Sequence, residues 1–213
     1  MDMLHYEKEA WNSGLFFVAG IDEAGRGPLA GPVVAAAVMF EREPLEKNIE
    51  QFAGLTDSKA LTEKQRENFF AILQTCGFAK IGCAIISEEI IDEINILQAT
   101  WKGMADAVAQ LTPAAEFALV DGNPVRGLPC NSQSIVKGDA KSLSIAAASI
   151  IAKVTRDRLM IELDAQYPEY GFAKHKGYGT AEHLAAIRRH GPCPCHRKTF
   201  RPISELKQGE FGF

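Results

Sequence analysis

The chain has 213 residues, of which 46% are hydrophobic and 23% are charged, a composition typical of a globular protein rather than a disordered or fibrous one. Its formal net charge of −4 at pH 7 argues against a protein that coats nucleic acid without specificity. No apolar run reaches the length of a membrane span, no secretory signal opens the sequence, and the five cysteines are an odd number, so we expect a cytoplasmic protein with reduced thiols and no membrane contact.

In chain order, residues 1–14 are predicted to form only a short polar lead-in. The first half of the chain then contains two apolar segments joined by a glycine-rich turn, a helix that Thr62 can cap, and a third apolar segment. The second segment is apolar from Val33 to Val38, as in a strand that is buried on both faces. The predicted strands and helix lie at 15–22, 32–40, 62–75 and 78–86.

The second half begins with an amphipathic helix whose apolar residues recur every three or four positions up to Leu111, before Pro113 ends it. The further predicted elements are a strand at 117–121, a short strand at 134–136, an alanine-rich helix at 142–166, a helix at 180–190 and a short helix at 202–207. This order predicts an α/β fold with a mixed central sheet flanked by helices. No repeat, linker or change of composition divides the chain, so we expect a single domain over 1–213, with a basic C-terminal tail from about residue 192.

The first functional signal is a pair of carboxylates, Asp22 and Glu23, at the end of the first predicted strand. Oxygen ligands of this kind suit a hard divalent cation such as Mg²⁺ or Mn²⁺. The turn that follows, Gly25-Arg26-Gly27, places a fixed cation and backbone amides without a neighbouring Cβ beside that position. A metal next to an anion-binding turn indicates phosphodiester chemistry, although an ordinary polar turn also explains these residues when they stand alone.

Two further carboxylates lie at element boundaries, Asp121 at the end of a strand and Asp139 just before the alanine-rich helix. Functional side chains of an α/β sheet gather at one edge, so Asp22 and Asp121 can meet although they are far apart in the chain. Without a cation, such carboxylates would repel one another and take up protons. Two divalent metals would remove this repulsion and would suit an in-line displacement at phosphorus.

The segment between Lys174 and Arg201 is basic, with seven Lys or Arg side chains against one acid. A local basic face on an acidic protein is typical of an enzyme that grips a polyanion, and also of an ordinary solvated surface. Four potential zinc ligands lie within this segment, namely Cys193, Cys195, His190 and His196. One residue between the cysteines is fewer than the usual spacing requires, and Pro194 stiffens it, so we expect no zinc there.

The order of these motifs resembles that of ribonuclease HII, the bacterial type 2 ribonuclease H, over nearly the whole chain. The resemblance rests on residues 20–28, 57–59 with Leu61, Ile94 and Leu97, 121–123, 137–139, 146–157, 170–178 and 196–200. It implies a ribonuclease H-like fold with a small C-terminal helical part and an enzyme that depends on Mn²⁺ or Mg²⁺. Members of this family cut the RNA strand of RNA–DNA hybrids and nick duplex DNA on the 5′ side of an embedded ribonucleotide, leaving 3′-hydroxyl and 5′-phosphate ends.

Carried over residue by residue, the resemblance implies site residues of two kinds. The catalytic acids and metal ligands for two-metal-ion hydrolysis would be Asp22, Glu23, Asp121 and Asp139. The substrate-binding residues would be Gly25, Arg26, Gly27, Lys59, Lys176 and Tyr178. Lys153 is explained equally well as an exposed helix residue, and Arg156 and Asp157 as members of structural ion pairs with neighbouring residues.

Other functions remain open at the sequence level. These are another ribonuclease H-like nuclease, of the resolvase or ribonuclease HIII type, and a non-catalytic hybrid-binding module. The Gly-Arg-Gly turn together with Tyr178 is not expected in a resolvase, the short lead-in argues against ribonuclease HIII, and four acids would repel a nucleic acid that is only bound. Ala60 stands where relatives often carry a second lysine. We expect a monomer, and the last residues, 208–213, are either a loose end or a segment that binds a sliding clamp.

Overall fold

The computed structural model describes residues 2–206, which form a mixed five-stranded sheet flanked by helices, as the sequence predicts. The strands are β1 (Val18–Ala24), β2 (Val33–Phe40), β3 (Ala79–Ile86), β4 (Phe117–Asp121) and β5 (Asn131–Ile135). The helices are α1 (His5–Asn12), α2 (Arg42–Lys47), α3 (Glu63–Thr75), α4 (Glu88–Ala109), α5 (Leu143–Gln166), α6 (Phe172–His175), α7 (Ala181–His190) and α8 (Ile203–Leu206). Short 3₁₀ segments lie at Ile49–Phe52, Gly138–Ala140 and Pro168–Tyr170.

The strand order across the sheet is β3-β2-β1-β4-β5. β2 is antiparallel to both of its neighbours, β3 and β1, whereas β1, β4 and β5 run parallel. β2 is buried at every position because both of its faces are covered. Val34 and Val38 belong to the apolar cluster that includes α5, and Ala35 and Met39 belong to the cluster that includes α4. The sheet is therefore the middle layer, which explains the unbroken apolar sequence of β2.

Two glycines allow these helices to lie directly on the sheet. A Cβ on Gly20 of β1 would be 2.1 Å from the carbonyl carbon of Ser144 in α5. A Cβ on Gly82 of β3 would be 2.0 Å from the carbonyl oxygen of Ala107 in α4. The close approach at Gly20 brings the N-terminal end of α5 beside the carboxyl ends of β1 and β4.

The segment before β1 is more than the polar lead-in that the sequence suggested. It forms α1, and Leu4 and Trp11 are buried in the same cluster as α5. The buried carboxylate of Glu7 accepts hydrogen bonds from the hydroxyls of Ser142 and Ser144 and from the Ser144 amide. A helix of this length with so many polar residues carries little local signal, and its stability depends on contacts far away in the chain.

The long amphipathic helix is interrupted, which the sequence did not predict. Asn95 in α4 has a φ of 67°, outside the helical region. Its side-chain oxygen accepts hydrogen bonds from the amides of Leu97 at 3.0 Å and Gln98 at 3.2 Å, and so caps a new helical segment. Leu97, one of the regularly spaced apolar residues of the predicted amphipathic helix, is exposed.

The small C-terminal helical part is built from α6, α7 and α8 around Tyr170, Phe172 and Ile187. As far as residue 206, the predicted basic tail is integrated into this part, and His196 and Arg197 are buried because they pack against the loop that joins β1 to β2. The predicted clamp-binding residues, 208–213, lie outside the described residues. Among residues 2–206, no helix has the length and hydropathy needed to cross a bilayer.

Candidate active site

The acids converge because β1 and β4 are parallel neighbours whose carboxyl ends lie at one edge of the sheet. Ile21 of β1 pairs with Val120 of β4, so the next residues, Asp22 and Asp121, are adjacent at this edge. Asp139 reaches the same place from the 3₁₀ segment just before α5. The fold thus brings together three acids that are distant in sequence.

Carboxylate oxygens of the acidic trio (Asp22, Asp121 and Asp139) all lie within 4.8 Å of one another. Asp121 also accepts a hydrogen bond of 2.6 Å from the backbone amide of the residue before Asp139, which holds that segment in place. Glu23 is not one of the three acids within this distance, although it lines the same cavity as Asp22. Its carboxylate instead accepts a hydrogen bond of 3.3 Å from Arg26.

The electrostatics of these acids favour a bound cation. Burial raises the pKa of Asp22 well above its ordinary value, and repulsion from Glu23 and Asp121 raises it further. Burial and the charge of Asp121 raise the pKa of Asp139 to about 6. Burial also raises the pKa of Glu23, against the opposing effect of Arg26. A buried donor set made of carboxylate oxygens alone fits a hard divalent ion, which would replace the protons.

The Gly-Arg-Gly turn (residues 25–27) borders a cavity of about 310 Å³ that also contains Asp22. Lys59 and Tyr178 line the same cavity, and Tyr178 is 46% exposed. A Cβ built on Gly27 would lie 3.6 Å from the Tyr178 ring, so a glycine at this position keeps the space between turn and ring open. The cavity therefore combines a metal ligand, an anion-binding turn, a cation and an exposed aromatic ring.

Two lysines line this cavity. Burial lowers the pKa of Lys59, but Asp57 and other nearby carboxylates outweigh it and raise the pKa above its ordinary value, so the ammonium stays charged. Lys153 of α5 is the second, and it pairs at 2.7 Å with an aspartate one turn further along the helix. The sequence feature that links Lys153 to the cavity is its spacing of four residues from Ser149 and three from Arg156, because residues so spaced share one face of a helix and both line the same cavity.

Lys176 is the proposed substrate-binding residue that the structure does not bring together with the others. Its backbone is in the left-handed region, with a φ of 52°. Its ammonium donates to the carbonyl oxygen of Ala173, and its own carbonyl accepts a hydrogen bond of 3.0 Å from Arg156. Lys176 thus supports the turn before Tyr178 rather than lining the cavity.

Two buried arginines hold the loop between β1 and β2, and the first is Arg197 from the C-terminal segment. It donates to the carbonyl oxygens of Gly25 at 2.5 Å, Arg26 at 2.9 Å and Gly31 at 2.8 and 3.0 Å. Burial lowers the pKa of Arg197, and these hydrogen bonds compensate for the water that the guanidinium has lost. A role for Arg197 was not predicted, because its partners are 166 to 172 residues away.

The second is Arg156 of α5, which donates to the carbonyl oxygens of Ala30 at 3.1 Å and Pro32 at 3.0 Å. The sequence suggested that Arg156 and Asp157 form structural ion pairs with neighbouring residues. Asp157 does pair with Lys153, whereas Arg156 binds backbone carbonyls. The two guanidiniums together direct the loop carbonyls towards positive charge, which keeps those oxygens from repelling a phosphate at the turn.

Comparison with known proteins agrees with this geometry. The family model described as ribonuclease HII matches residues 19–203. Ribonuclease HII of Acetivibrio thermocellus is 54% identical over 200 residues, which are 94% of this chain and 75% of that protein. The ribonuclease H2 from Pyrococcus horikoshii OT3 has a TM-score of 0.72 at 29% identity, over 89% of this chain and 96% of that one. RNase HII in the PCNA:RNase HII complex from Archaeoglobus fulgidus has a TM-score of 0.70 at 26% identity, over 87% and 95% of the two chains. The chain therefore belongs to the ribonuclease HII family and is a metal-dependent endonuclease of the ribonuclease H type.

Proposed function

We propose that the enzyme cleaves the RNA strand of RNA–DNA hybrids and nicks duplex DNA on the 5′ side of an embedded ribonucleotide, leaving 3′-hydroxyl and 5′-phosphate ends. The observation that carries this proposal is the single cavity in which Asp22 meets the Gly-Arg-Gly turn and the ring of Tyr178. Metal ligands alone do not distinguish this activity, because many nucleases contain them. The turn and the ring add the means to recognise a ribose that is followed by a deoxyribose.

We infer that Asp22, Asp121 and Asp139 hold Mn²⁺ or Mg²⁺, with Glu23 at the edge of the same site. When bound, two such ions supply a nucleophilic water and stabilise the charge that develops on the leaving 3′-oxygen. The protein contributes a preformed set of oxygen ligands, because the amide of Gly138 orients Asp121 at 2.6 Å. It also excludes much of the solvent from Asp22, which strengthens the attraction between carboxylate and cation.

Recognition of the ribose depends on its 2′-hydroxyl, which both donates and accepts hydrogen bonds. The backbone amides of the Gly-Arg-Gly turn offer donors to this hydroxyl close to Asp22, and its glycines allow the sugar to approach. Arg197 holds this backbone in one geometry. The Tyr178 ring, which faces Gly27, provides a flat surface for the adjacent deoxyribose. A second 2′-hydroxyl at that position would contact the ring and lose its hydration.

The phosphodiester backbone on either side of the cut requires cations. Arg26, Lys59 and Lys153 line the cavity and are the residues that we assign to phosphate contacts. Lys176 is left out of this group because its ammonium already donates to Ala173. Each phosphate contact adds to binding without specifying sequence, as suits an enzyme that acts wherever a ribonucleotide occurs.

The experiment is cleavage of a DNA duplex that contains one ribonucleotide, with Mn²⁺ or Mg²⁺. We expect a single nick on the 5′ side of the ribonucleotide, and no nick in a matched all-DNA duplex. Asp22→Asn should bind an RNA–DNA hybrid but leave every substrate uncut. Cleavage on the 3′ side, or faster cleavage of a four-way DNA junction than of the hybrid, would refute the assignment.

We further propose that residues 208–213 bind a sliding clamp and that the enzyme is otherwise a monomer in the cytoplasm. The support is the pair of phenylalanines, Phe211 and Phe213, and the PCNA complex of the Archaeoglobus fulgidus relative. The free cysteines of the chain agree with a reducing compartment. Light scattering should give the mass of one chain, and co-elution with the clamp should be lost when the last six residues are deleted.

A further inference from the structure

Three potential metal ligands meet in the C-terminal segment. The sulfurs of Cys193 and Cys195 are 3.1 Å apart, and Nδ1 of His196 is 3.0 Å from the sulfur of Cys193. All three ligand atoms lie within 4.8 Å of one another. None of these residues lines the cavity beside Asp22. This thiol cluster (Cys193, Cys195 and His196) is therefore a second group of potential ligands, separate from the acids.

Hydrogen bonds around His196 leave its Nδ1 without a proton on the side of the ring that faces the Cys193 sulfur. The carbonyl oxygen of Tyr178 accepts a hydrogen bond of 2.9 Å from Nδ1 of His183, so Nε2 of the neutral His183 ring is an acceptor. His196 must then donate from its Nε2 to His183 across 3.0 Å. Its Nδ1 carries no proton and accepts from the Cys193 amide at 3.0 Å, a hydrogen bond that a metal ion would replace. Histidines that bind metals commonly donate their other ring nitrogen in this way.

The main chain holds the thiol cluster in place without any ion. The Cys195 carbonyl accepts from the Gly31 amide at 2.9 Å, and the amide of Arg197 donates to Leu29 at 2.8 Å. Cys195 and His196 are buried, whereas Cys193 is only half-buried. A cation could therefore enter from the Cys193 side and meet ligands that are already positioned.

We propose that Cys193, Cys195 and His196 bind a thiophilic divalent cation, Zn²⁺. Two thiolates and an imidazole are ligands that Zn²⁺ prefers, whereas the carboxylates of the acidic trio suit harder ions. Binding releases the thiol protons to solvent, and water completes the coordination on the half-exposed side. With Zn–S bonds of about 2.3 Å, the sulfurs need to separate by roughly 0.6 Å to reach tetrahedral geometry.

The single residue between the two cysteines argued against zinc at the sequence level. The structure answers that objection, because the two sulfurs already lie 3.1 Å apart despite the short spacing and the adjacent His196 offers a third ligand atom. His190, the remaining candidate in the sequence, does not belong to the cluster. It is exposed and packs at an edge of Tyr170, with ring centroids 6.3 Å apart.

A cation at this position would brace the substrate cavity without touching the reacting atoms, a consequence that rests on the proposed function. Arg197 follows the cluster directly and binds the carbonyls of Gly25 and Arg26. On the other side, His196 connects through His183 to the backbone of Tyr178. The cation would therefore be structural, and its binding can be measured in the absence of cleavage.

Cobalt distinguishes this site from the carboxylates, because thiolate ligands give Co²⁺ an intense near-ultraviolet charge-transfer absorption that oxygen ligands do not. Reduced, metal-stripped protein titrated with Co²⁺ without oxygen should develop this absorption up to one equivalent, and Zn²⁺ should abolish it by displacement. Cys195→Ala should remove the absorption, and alanine avoids an unpaired hydroxyl in a buried position. Cys193→Ser, at the half-exposed position, gives the same test if the first variant does not fold.

Two control variants should keep the absorption. Cys130→Ser removes a half-buried thiol elsewhere in the fold, and Asp22→Asn removes a ligand of the acidic trio. Asp22→Asn is expected to be inactive but to keep the thiol cluster. Its absorption therefore reports on zinc binding alone, independently of whether the proposed function is correct. The inference is overturned if the wild-type protein gives no thiolate absorption, if both cysteine variants retain it, or if a Cys193–Cys195 disulfide persists after treatment with a reductant.

Discussion

Two carboxylates of the acidic trio, Asp22 and Asp139, are placed where their charge is costly until a metal binds. Asp22 is buried, and its pKa is raised by burial and by the neighbouring acids. Asp139, whose pKa is raised to about 6, is buried beside Asp121 and Asp57. At neutral pH these groups therefore oppose folding of the metal-free protein, and the same repulsion makes cation binding favourable.

Asp139→Asn should stabilise the metal-free protein by about 1 kcal/mol at pH 7, because an amide cannot ionise. The pKa of Asp139 is about 6 in the folded protein against an ordinary 3.8, so folding favours the protonated form. The gain is therefore full above pH 6 and disappears as the pH falls towards 3.8. Urea unfolding of both proteins in a chelator, at several pH values, measures it. A gain that increases towards low pH would contradict this assignment.

Tyr178 should act through its ring rather than through its hydroxyl. Tyr178→Ala is expected to lower kcat/KM on a single embedded ribonucleotide by about tenfold or more, since stacking on an aromatic ring contributes roughly 1–3 kcal/mol. Tyr178→Phe keeps the ring and should remain within about threefold of the wild type, as the lost hydroxyl carries none of this stacking. Equal losses in the two variants would assign the effect to the hydroxyl.

At the scale of elements, the conformation of the loop between β1 and β2 depends on side chains from other parts of the chain. Arg156 of α5 and Arg197 of the C-terminal segment bind the carbonyls at Gly25, Arg26, Ala30, Gly31 and Pro32. A planar guanidinium can donate to several carbonyls at fixed angles, whereas a lysine ammonium cannot reproduce that fork. The rigidity of the loop between β1 and β2 therefore depends on its hydrogen bonds with these two arginines.

Arg197→Lys is expected to lower the free energy of unfolding by about 2–4 kcal/mol, because buried carbonyls lose their donors. It should also raise KM for the ribonucleotide substrate, since the turn is no longer held in one geometry. Arg188→Lys, an exposed change on α7, is the matched control and should stay within about 0.5 kcal/mol. Similar stabilities of the two variants would mean that the carbonyls find other donors.

The attachment of α1 to α5 depends on one carboxylate. Glu7 accepts hydrogen bonds of 2.6 Å from the hydroxyls of Ser142 and Ser144 and of 2.9 Å from the Ser144 amide, at the positive end of α5. Glu7→Ala should destabilise the protein by about 1–3 kcal/mol, because these buried donors lose their acceptor. Thermal unfolding of the variant measures this loss. Glu9→Ala, on the exposed side of α1, is the control and should have little effect in the same measurement.

At the scale of the whole molecule, distant parts of the chain converge on one site. The end of β1, the loop after it, α5 and the segments that carry Lys59 and Tyr178 line the cavity, and the end of β4 adjoins it because Asp121 lies beside Asp22. A divalent ion at the acidic trio should therefore stabilise the entire fold. At about one hundred times the dissociation constant, Mn²⁺ should add roughly 2.7 kcal/mol and raise Tm by about 5–10 °C. Calorimetry with Mn²⁺ and with a chelator tests this, and Asp22→Asn should show a smaller shift. An equal shift in that variant would place the ion elsewhere.

The parts of this arrangement that sequence reasoning predicted are those with a local signal. The apolar run of β2 and the change from apolar to acidic residues at Asp22 and Asp121 mark strands and their ends. Contacts that join distant segments leave no such pattern. The hydrogen bond from Arg197 to Gly25 spans 172 residues, and the one from Ser144 to Glu7 spans 137. The break at Asn95 was missed because the apolar period continues across it.

The dependence of the Gly-Arg-Gly turn on two remote guanidiniums has a consequence for protein engineering. Transplanting residues 25–27 into another scaffold would leave their carbonyl oxygens without donors, and the peptide planes would rotate towards whatever water or side chain was nearest. A successful graft would have to carry Arg156 and Arg197 on supports that reproduce their positions. The smallest unit of this enzyme that could be transferred to recognise a ribose is thus an assembly of three chain segments and not a tripeptide.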